Sequence, residues 1–138
     1  MLFRSYTNES DHGAERSLAN ALKPIINKYG VQLVMFAHNH NYQRIVKSDQ
    51  PKCVFICSGT GGESHYDLKA SESGTKKMND SAFGFTKISI NGNSLKGEFI
   101  DTSNRVLDSW TQTVTGITAN YARAYLTEME PIGMRVSI

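Results

Sequence analysis

The sequence predicts a mixed α/β fold, and three features of its pattern indicate this class. An amphipathic segment covers residues 14–29, two short apolar runs cover 31–37 and 53–57, and a hairpin pattern covers 83–100. A helix followed by buried strands and then by an antiparallel meander is the order of a layered α/β domain.

The helical segment is "AERSLANALKPIINKY". Its apolar residues recur at helical spacing and predict one buried face, made of Leu18, Ala21, Leu22, Ile25, Ile26 and Tyr29. Gly30 supplies a stop signal. We expect Pro24 to weaken or kink the middle of the helix, because proline removes one backbone donor.

The two apolar runs, "VQLVMFA" and "CVFIC", are typical of strands covered on both faces. "SGTGG" follows the second run, and its glycines allow close approach to another backbone. Cys53 and Cys57 lie about 13 Å apart on an intact strand. A disulfide needs Cα atoms within about 7 Å. We therefore expect two buried thiols, as in an intracellular protein.

Residues 63–82 are polar and aperiodic, which predicts a long, mobile loop. "FGFTKISI" and "SLKGEFI" then form a hairpin with its turn at Asn91-Gly92, and "RVLDSWTQ" follows a turn at 101–104. We assign residues 1–112 to one domain. Residues 113–138 form a tail that the pattern does not assign, although "ANYARAYLTEME" is a candidate helix.

Composition excludes several function classes. The chain has 138 residues and a net charge of +2, and its Lys and Arg residues form no basic run, which argues against a nucleic-acid partner. No apolar stretch reaches the roughly 18 to 20 residues that span a bilayer. The first residues lack the apolar centre of a signal peptide, so we expect a cytoplasmic protein without a membrane partner.

The most informative stretch is "VMFAHNHNYQR", residues 34–44, where an apolar run ends in two histidines. At a strand end, residues two apart point the same way, so His38 and His40 are expected to direct both imidazoles into one cavity, about 6 to 7 Å apart. That spacing suits two neighbouring metal ions, or one ion beside a substrate contact. The alternative is a pair of surface histidines in a polar turn, because H-x-H is a short motif. Open α/β sheets place their sites at the carboxyl ends of strands, which favours the site.

The longer stretch "KYGVQLVMFAHNHNYQR" resembles the last signature block of the calcineurin-like metallophosphoesterases, in their purple-acid-phosphatase-like branch. That block runs K-Y-x-V-D-L-V-x-x-G-H-x-H-x-Y-E-R. "VFICSGTGG" and "FGFTKISINGNSLKGEFIDTSNRVLDSW" resemble the closing strands of the same domain. The resemblance covers about Tyr6 to Trp110. It implies the C-terminal half of a four-layer α/β/β/α sandwich that hydrolyses phosphomonoesters with two metal ions.

For the metal site, the resemblance implies that His38 and His40 each ligate one ion, which would be zinc, manganese or iron. Ala37 stands where the family has glycine. In the same block Tyr42 and Arg44 match the family's tyrosine and arginine, and we interpret both as structural supports. Gln43 replaces the usual glutamate.

Upstream, alignment on Tyr6 places His12 where the family has a histidine near the substrate phosphate. His12 would then contact phosphate or act as a general acid; alternatively, it caps the helix beside Gly13. The same alignment places Leu2 where the family has a metal-binding histidine and Arg4 where it has proline. Leucine does not ligate metals.

The family's D-x-H, G-D-x-x-Y and G-N-H-E blocks do not occur in this sequence. They supply the carboxylate that bridges the two ions. Asp11, Glu15, Glu63 and Asp67 are candidate substitutes, although no spacing favours one of them, and we expect Asp11 and Asp67 to face solvent. His65, in the polar loop, is either a rim residue or exposed, and we expect the latter.

Three functions therefore compete. The chain is the C-terminal half of a phosphoesterase that works with a complementary N-terminal half, or it is an inactive remnant that folds and dimerises. In the third case it is a single-metal module in which a neighbouring protomer completes the His38 and His40 site.

Overall fold

The computed structural model describes residues 16–114. In this part of the chain, one helix precedes seven strands. They are α1 (Arg16–Tyr29), β1 (Leu33–Phe36), β2 (Tyr42–Ile45), β3 (Val54–Ser58), β4 (Thr75–Asn79), β5 (Gly84–Asn91), β6 (Ser94–Asp101) and β7 (Val106–Thr113).

Helix α1 forms where the periodicity predicts it, but its buried face is rotated from the predicted one. Ala19 and Ile26 are buried, whereas Ile25 is 50% exposed and Tyr29 is 69% exposed. Ala19 and Ile26 are seven residues apart and thus share a stripe that faces the sheet, and Ile25 and Tyr29 lie on the next stripe. The helix continues past Pro24, which is exposed.

The first sheet has the strand order β1-β3-β2-β4. Strands β1 and β3 are parallel, and β2 is antiparallel to both β3 and β4. The burial of β3 is confirmed. The expectation that β1 is covered on both faces is wrong: Met35 is 44% exposed, because β1 is an edge strand of this sheet.

Two strands of this sheet were not predicted. β2 follows the histidine pair, and β4 lies inside the segment predicted as a mobile loop. A bond from the Val46 amide to the Gly74 carbonyl at 2.9 Å fixes the approach to β4. Gly74 has φ +91°, and a Cβ there would lie 2.3 Å from the Val46 carbonyl oxygen, so this position requires glycine.

The second sheet has the order β5-β6-β7 and is antiparallel throughout. It confirms the predicted hairpin and the third strand. Asn91 pairs with Ser94, so the turn residues are Gly92 and Asn93, one position later than predicted. Gly92 has φ +54°, a value that suits a tight hairpin turn.

The layers are ordered helix, sheet, sheet, and a core fills each gap. Between α1 and the first sheet lie Ile26, Phe36, Ile45, Cys53, Phe55 and Cys57. Between the two sheets lie Tyr42, Val54, Ile56, Phe99 and Trp110. The mixed α/β class is confirmed. Both cysteines are free and buried as expected, and burial raises the pKa of each thiol to about 12.

Among residues 16–114, no helix has the length and apolar character needed to cross a membrane.

Candidate metal-binding site

The histidine pair lies at the carboxyl ends of β1 and β3. These strands are parallel, so the loops that follow them leave the sheet at the same end, next to each other. The loop after β1 carries His38 and His40, and the loop after β3 begins at Gly59. The carboxyl ends of the strands are where open α/β sheets bind ligands.

The backbone around His38 is not an extended strand. β1 ends at Phe36, the next residues bend, and His38 adopts φ +81°, a left-handed conformation that few non-glycine residues adopt. The strand alternation used to orient the pair therefore does not apply at His38. That His38 and His40 converge on one site stays a prediction. Both side chains are half-buried.

Gly59 is the contact point between the two loops. A Cβ at Gly59 would lie 1.8 Å from the Asn39 carbonyl oxygen and 3.3 Å from the His40 Cα. The Gly59 amide donates to the Asn41 carbonyl at 3.1 Å, and the Cys57 thiol donates to the Asn39 carbonyl at 3.5 Å. The close approach predicted for "SGTGG" is therefore an approach to the histidine loop.

His40 is held from its Nδ1 side. The Nδ1 atom lies 2.9 Å from the Ser64 carbonyl oxygen. A carbonyl only accepts hydrogen bonds, so the proton of the neutral imidazole is on Nδ1 and the lone pair is on Nε2. Metal-binding histidines commonly donate their second nitrogen to a carbonyl in this way.

Tyr66 packs on the same ring. The imidazole of His40 and the phenol ring of Tyr66 are stacked, with centroids 4.1 Å apart and planes at 16°. The Tyr66 amide also donates to the His40 carbonyl at 3.1 Å. Residues 64–66 thus contact both the backbone and the side chain of His40.

The buried amides beside the histidines extend this contact. Asn41 Nδ2 donates to the Tyr66 carbonyl at 3.3 Å, so Asn41 Oδ1 is left as an acceptor, and Gln43 Nε2 donates to it at 2.7 Å. Gln43 is fully buried. An ionised glutamate at this position has no proton to donate to Asn41 Oδ1. The glutamine that stands here instead of the family's glutamate is therefore what makes this hydrogen bond possible.

Tyr42 and Arg44 lie between the sheets and connect β2 to β7. Arg44 makes a two-pronged ion pair with Asp108, Nε to Oδ2 at 2.7 Å and the second guanidinium nitrogen to Oδ1 at 2.9 Å. The Tyr42 hydroxyl donates to Asp108 Oδ2 at 2.8 Å, and its ring stacks on Phe99 with centroids 4.2 Å apart. Burial raises the pKa of Tyr42, and the bond to Asp108 acts in the same direction.

The carboxylates of the loop after β3 face solvent. Glu63 accepts hydrogen bonds from the Ser64 amide at 2.8 Å and hydroxyl at 3.1 Å. These bonds hold the pKa of Glu63 below its usual range, and nearby His40 acts in the same direction. Asp67 is exposed, whereas His65 is half-buried and packs its ring 4.2 Å from Phe83, so His65 is less exposed than expected.

The donor set between residues 16 and 114 fits part of a metal centre. The contact of His40 Nδ1 with the Ser64 carbonyl leaves Nε2 as the nitrogen that would bind a metal ion. However, no group of three His, Cys, Asp or Glu side chains that could hold an ion occurs in this part of the chain. The upstream candidates His12, Leu2, Arg4, Asp11 and Glu15 lie outside the described residues.

The contacts of Ser64 and Tyr66 with the histidine loop, in which Asn41 donates to the Tyr66 carbonyl, were not predicted. The first two belong to the aperiodic polar segment, where the sequence carries no signal for a contact with a residue some two dozen positions away. The "GTGG" run was the one available indication that the segment returns to another backbone.

Comparison with known proteins concerns the fold and the strands that follow the histidine loop. Residues 53–109 match the family described as iron/zinc purple acid phosphatase-like protein C. No match was found among curated protein sequences. Among solved structures, the fold is similar to that of GAP50, the anchor in the inner membrane complex of Plasmodium, with a TM-score of 0.74 at 17% identity.

That similarity covers 91% of this chain and 40% of the GAP50 chain, so the chain spans less than half of the structure it matches. Purple acid phosphatase-like proteins generally bind two metal ions. The resemblance stated from the sequence is confirmed: residues 53–109 match a purple-acid-phosphatase-like family, and the mixed α/β fold is similar to that of a purple-acid-phosphatase-like protein.

Proposed function

We propose that this chain is the C-terminal part of a metal-dependent phosphoesterase, in which His38 and His40 each bind one of two metal ions. The observation that carries the proposal is the state of His40. Its Nδ1 proton is engaged by the Ser64 carbonyl, so Nε2 carries the lone pair that a metal requires. The family match over residues 53–109, which begins after the two histidines, supports the phosphoesterase resemblance.

Each group has a defined task in this proposal. Ions held by His38 and His40 would supply Lewis-acid activation of water and would neutralise the phosphate charge. His40 binds one ion through Nε2, His38 binds the other, and His12 contacts the phosphate or donates a proton to the leaving group. The bridging carboxylate comes from a complementary N-terminal half.

The partner half would meet the chain at β1. This strand pairs with β3 on one side, and Met35 on it is 44% exposed. An apolar edge strand is a template for another strand. Its loop carries the histidines, so a chain added at this edge would bring its own ligands next to them. A second copy of this chain is the alternative occupant.

Hydrolysis of p-nitrophenyl phosphate tests the proposal. With added zinc, manganese or iron, the chain alone should hydrolyse this ester at or near background and should bind metal weakly, because two imidazoles fall short of the four ligands of a tight zinc site. Mixing with a chain that carries D-x-H, G-D-x-x-Y and G-N-H-E should restore turnover.

Substitutions identify the residues responsible. His40→Ala should remove the restored turnover and most metal binding, whereas Tyr29→Ala, a change of an aromatic residue that is 69% exposed on α1, should leave both unchanged. His12→Ala should lower turnover by roughly 10²- to 10⁴-fold. Robust metal-dependent turnover by the isolated chain, or equal metal binding by the parent and His38→Ala/His40→Ala, would contradict the proposal.

A catalytically inactive binding module is the second candidate. Two observations favour it: the similar solved structure is described as an anchor, and residues 16–114 hold no cluster of three potential ligands. This candidate predicts a stable complex with a partner chain and no turnover in that complex. The phosphoesterase proposal predicts turnover in the same sample.

A further inference from the structure

The segment Ser64–Tyr66 contacts His40 at three points. The Ser64 carbonyl accepts from Nδ1 at 2.9 Å, the Tyr66 ring stacks on the imidazole at 4.1 Å, and the Tyr66 amide donates to the His40 carbonyl at 3.1 Å. The Asn41 side chain donates to the Tyr66 carbonyl at 3.3 Å, which adds a fourth contact between this segment and the histidine loop.

These contacts restrict two freedoms of an imidazole. Its outer torsion has a broad energy well, so a histidine ring without neighbours rotates widely. A ring stacked at 16° restricts that rotation. The proton of a neutral imidazole is found on either nitrogen, and a carbonyl beside Nδ1 selects the form with a bare Nε2.

We propose that Tyr66 is a positioning residue. Its stacked ring keeps the His40 imidazole in the orientation in which Nδ1 contacts the Ser64 carbonyl, so that Nε2 is available to a metal ion. The inference rests on the proposed function insofar as His40 binds a metal. Tyr66 itself touches neither metal nor substrate in this proposal.

A purely structural role for Tyr66 makes different predictions. Loss of simple packing would lower the stability of the loop but would leave the tautomer of His40 unchanged. Loss of positioning would change the tautomer and the zinc affinity together. The ring face is the feature in question, so Tyr66→Phe should behave as the parent, and Tyr66→Leu should behave as Tyr66→Ala.

The experiment uses the full chain labelled with ¹⁵N-histidine. Long-range ¹H–¹⁵N spectra report which nitrogen of each imidazole is protonated, and a His40→Gln sample assigns the His40 signals. The affinity for Zn²⁺ alone is measured by competition with a chelator in the same samples. Tyr29→Ala is the matched control, because Tyr29 is 69% exposed on α1.

In the parent, His40 should be protonated on Nδ1. Tyr66→Ala and Tyr66→Leu should shift its population toward the Nε2 proton and weaken Zn²⁺ binding by roughly 10- to 100-fold, as the loss of a residue supporting a metal ligand typically does. Tyr66→Phe and Tyr29→Ala should match the parent.

An Nε2 proton in the parent overturns the inference, as does an unchanged tautomer in both Tyr66→Ala and Tyr66→Leu when their amide spectra show a folded chain. The proposed function fails separately. If the parent binds no Zn²⁺ but its His40 tautomer depends on the Tyr66 ring, the positioning contact stands and the metal-site proposal does not.

Discussion

At the residue scale, Gly59 determines how closely the loops after β1 and β3 approach each other. An alanine Cβ would lie 1.8 Å from the Asn39 carbonyl oxygen, and a backbone atom has little room to move. Gly59→Ala should therefore lower the free energy of unfolding by roughly 1 to 3 kcal/mol, as overpacking does. It should also shift the amide signals of Asn39 to Asn41.

Gly61→Ala is the matched control, because a Cβ at Gly61 meets nothing within 4 Å. Urea unfolding of the two variants measures the difference. Equal stability of Gly59→Ala and Gly61→Ala would show that the histidine loop adapts to the added carbon, and the close approach would then have no energetic importance.

The site residues differ in how far the sequence predicts them. His38 and His40 follow an apolar run in a recognisable block, so the chemical group and its place at a strand end were both predictable. The φ of +81° at His38 was not, since a left-handed histidine has no sequence signature. Tyr66 depends on tertiary contacts between loops, which an aperiodic segment does not encode locally.

At the element scale, Asp108 on β7 binds Tyr42 and Arg44 on β2 and so connects the two sheets. The Arg44 and Asp108 side chains are 16% and 7% exposed. Asp108→Asn leaves the partly buried guanidinium of Arg44 without its charged partner. We expect a loss of about 3 kcal/mol at pH 7, the lower end for separating a buried ion pair.

This loss should depend on pH. Burial by itself would raise the pKa of Asp108, but the hydrogen bonds from Arg44 and Tyr42 outweigh burial and hold the pKa below its usual range. A depressed carboxyl pKa stabilises the fold above the unfolded value of about 3.9, and the contribution is lost as the pH falls through the folded value.

Urea unfolding at several pH values tests this expectation. The stability gap between parent and Asp108→Asn should be constant from pH 7 to about pH 5 and should shrink in more acidic solution. Asp67→Asn, an exposed carboxylate, should show little gap at any pH. A gap for Asp108→Asn that persists undiminished at pH 2 would mean that the ion pair is not its origin.

The elements that the sequence predicted are those with a local signal. Helix α1, strand β3 and the β5–β6 hairpin carry periodicity, an apolar run or a turn dipeptide. Strand β4, "TKKMN", is a half-exposed edge strand, and its polar residues match those of a loop. β4 is a strand because it pairs with β2, which lies some 30 residues earlier in the chain. The sequence of segment 63–82 alone therefore could not show that it contains a strand between two loops.

At the scale of the whole molecule, residues 16–114 form three layers, and two of their surfaces are apolar. One is the β1 edge with Met35. The other is a row across the outer face of the second sheet, where Phe85 pairs with Ile100 and Ile100 pairs with Val106. Phe85 is 55% exposed and Val106 is 51% exposed. Contiguous apolar surface of this kind marks a site of association.

The chain should therefore self-associate when no complementary half is present. Sedimentation velocity at micromolar concentration should show dimers or larger species whose fraction rises with concentration. A charged residue on an edge strand opposes strand addition. Met35→Lys should thus shift the distribution toward monomer, whereas Tyr29→Lys on α1 should not. A compact monomer of the parent chain over this concentration range would contradict the prediction, and the β1 edge would then be covered from within the chain.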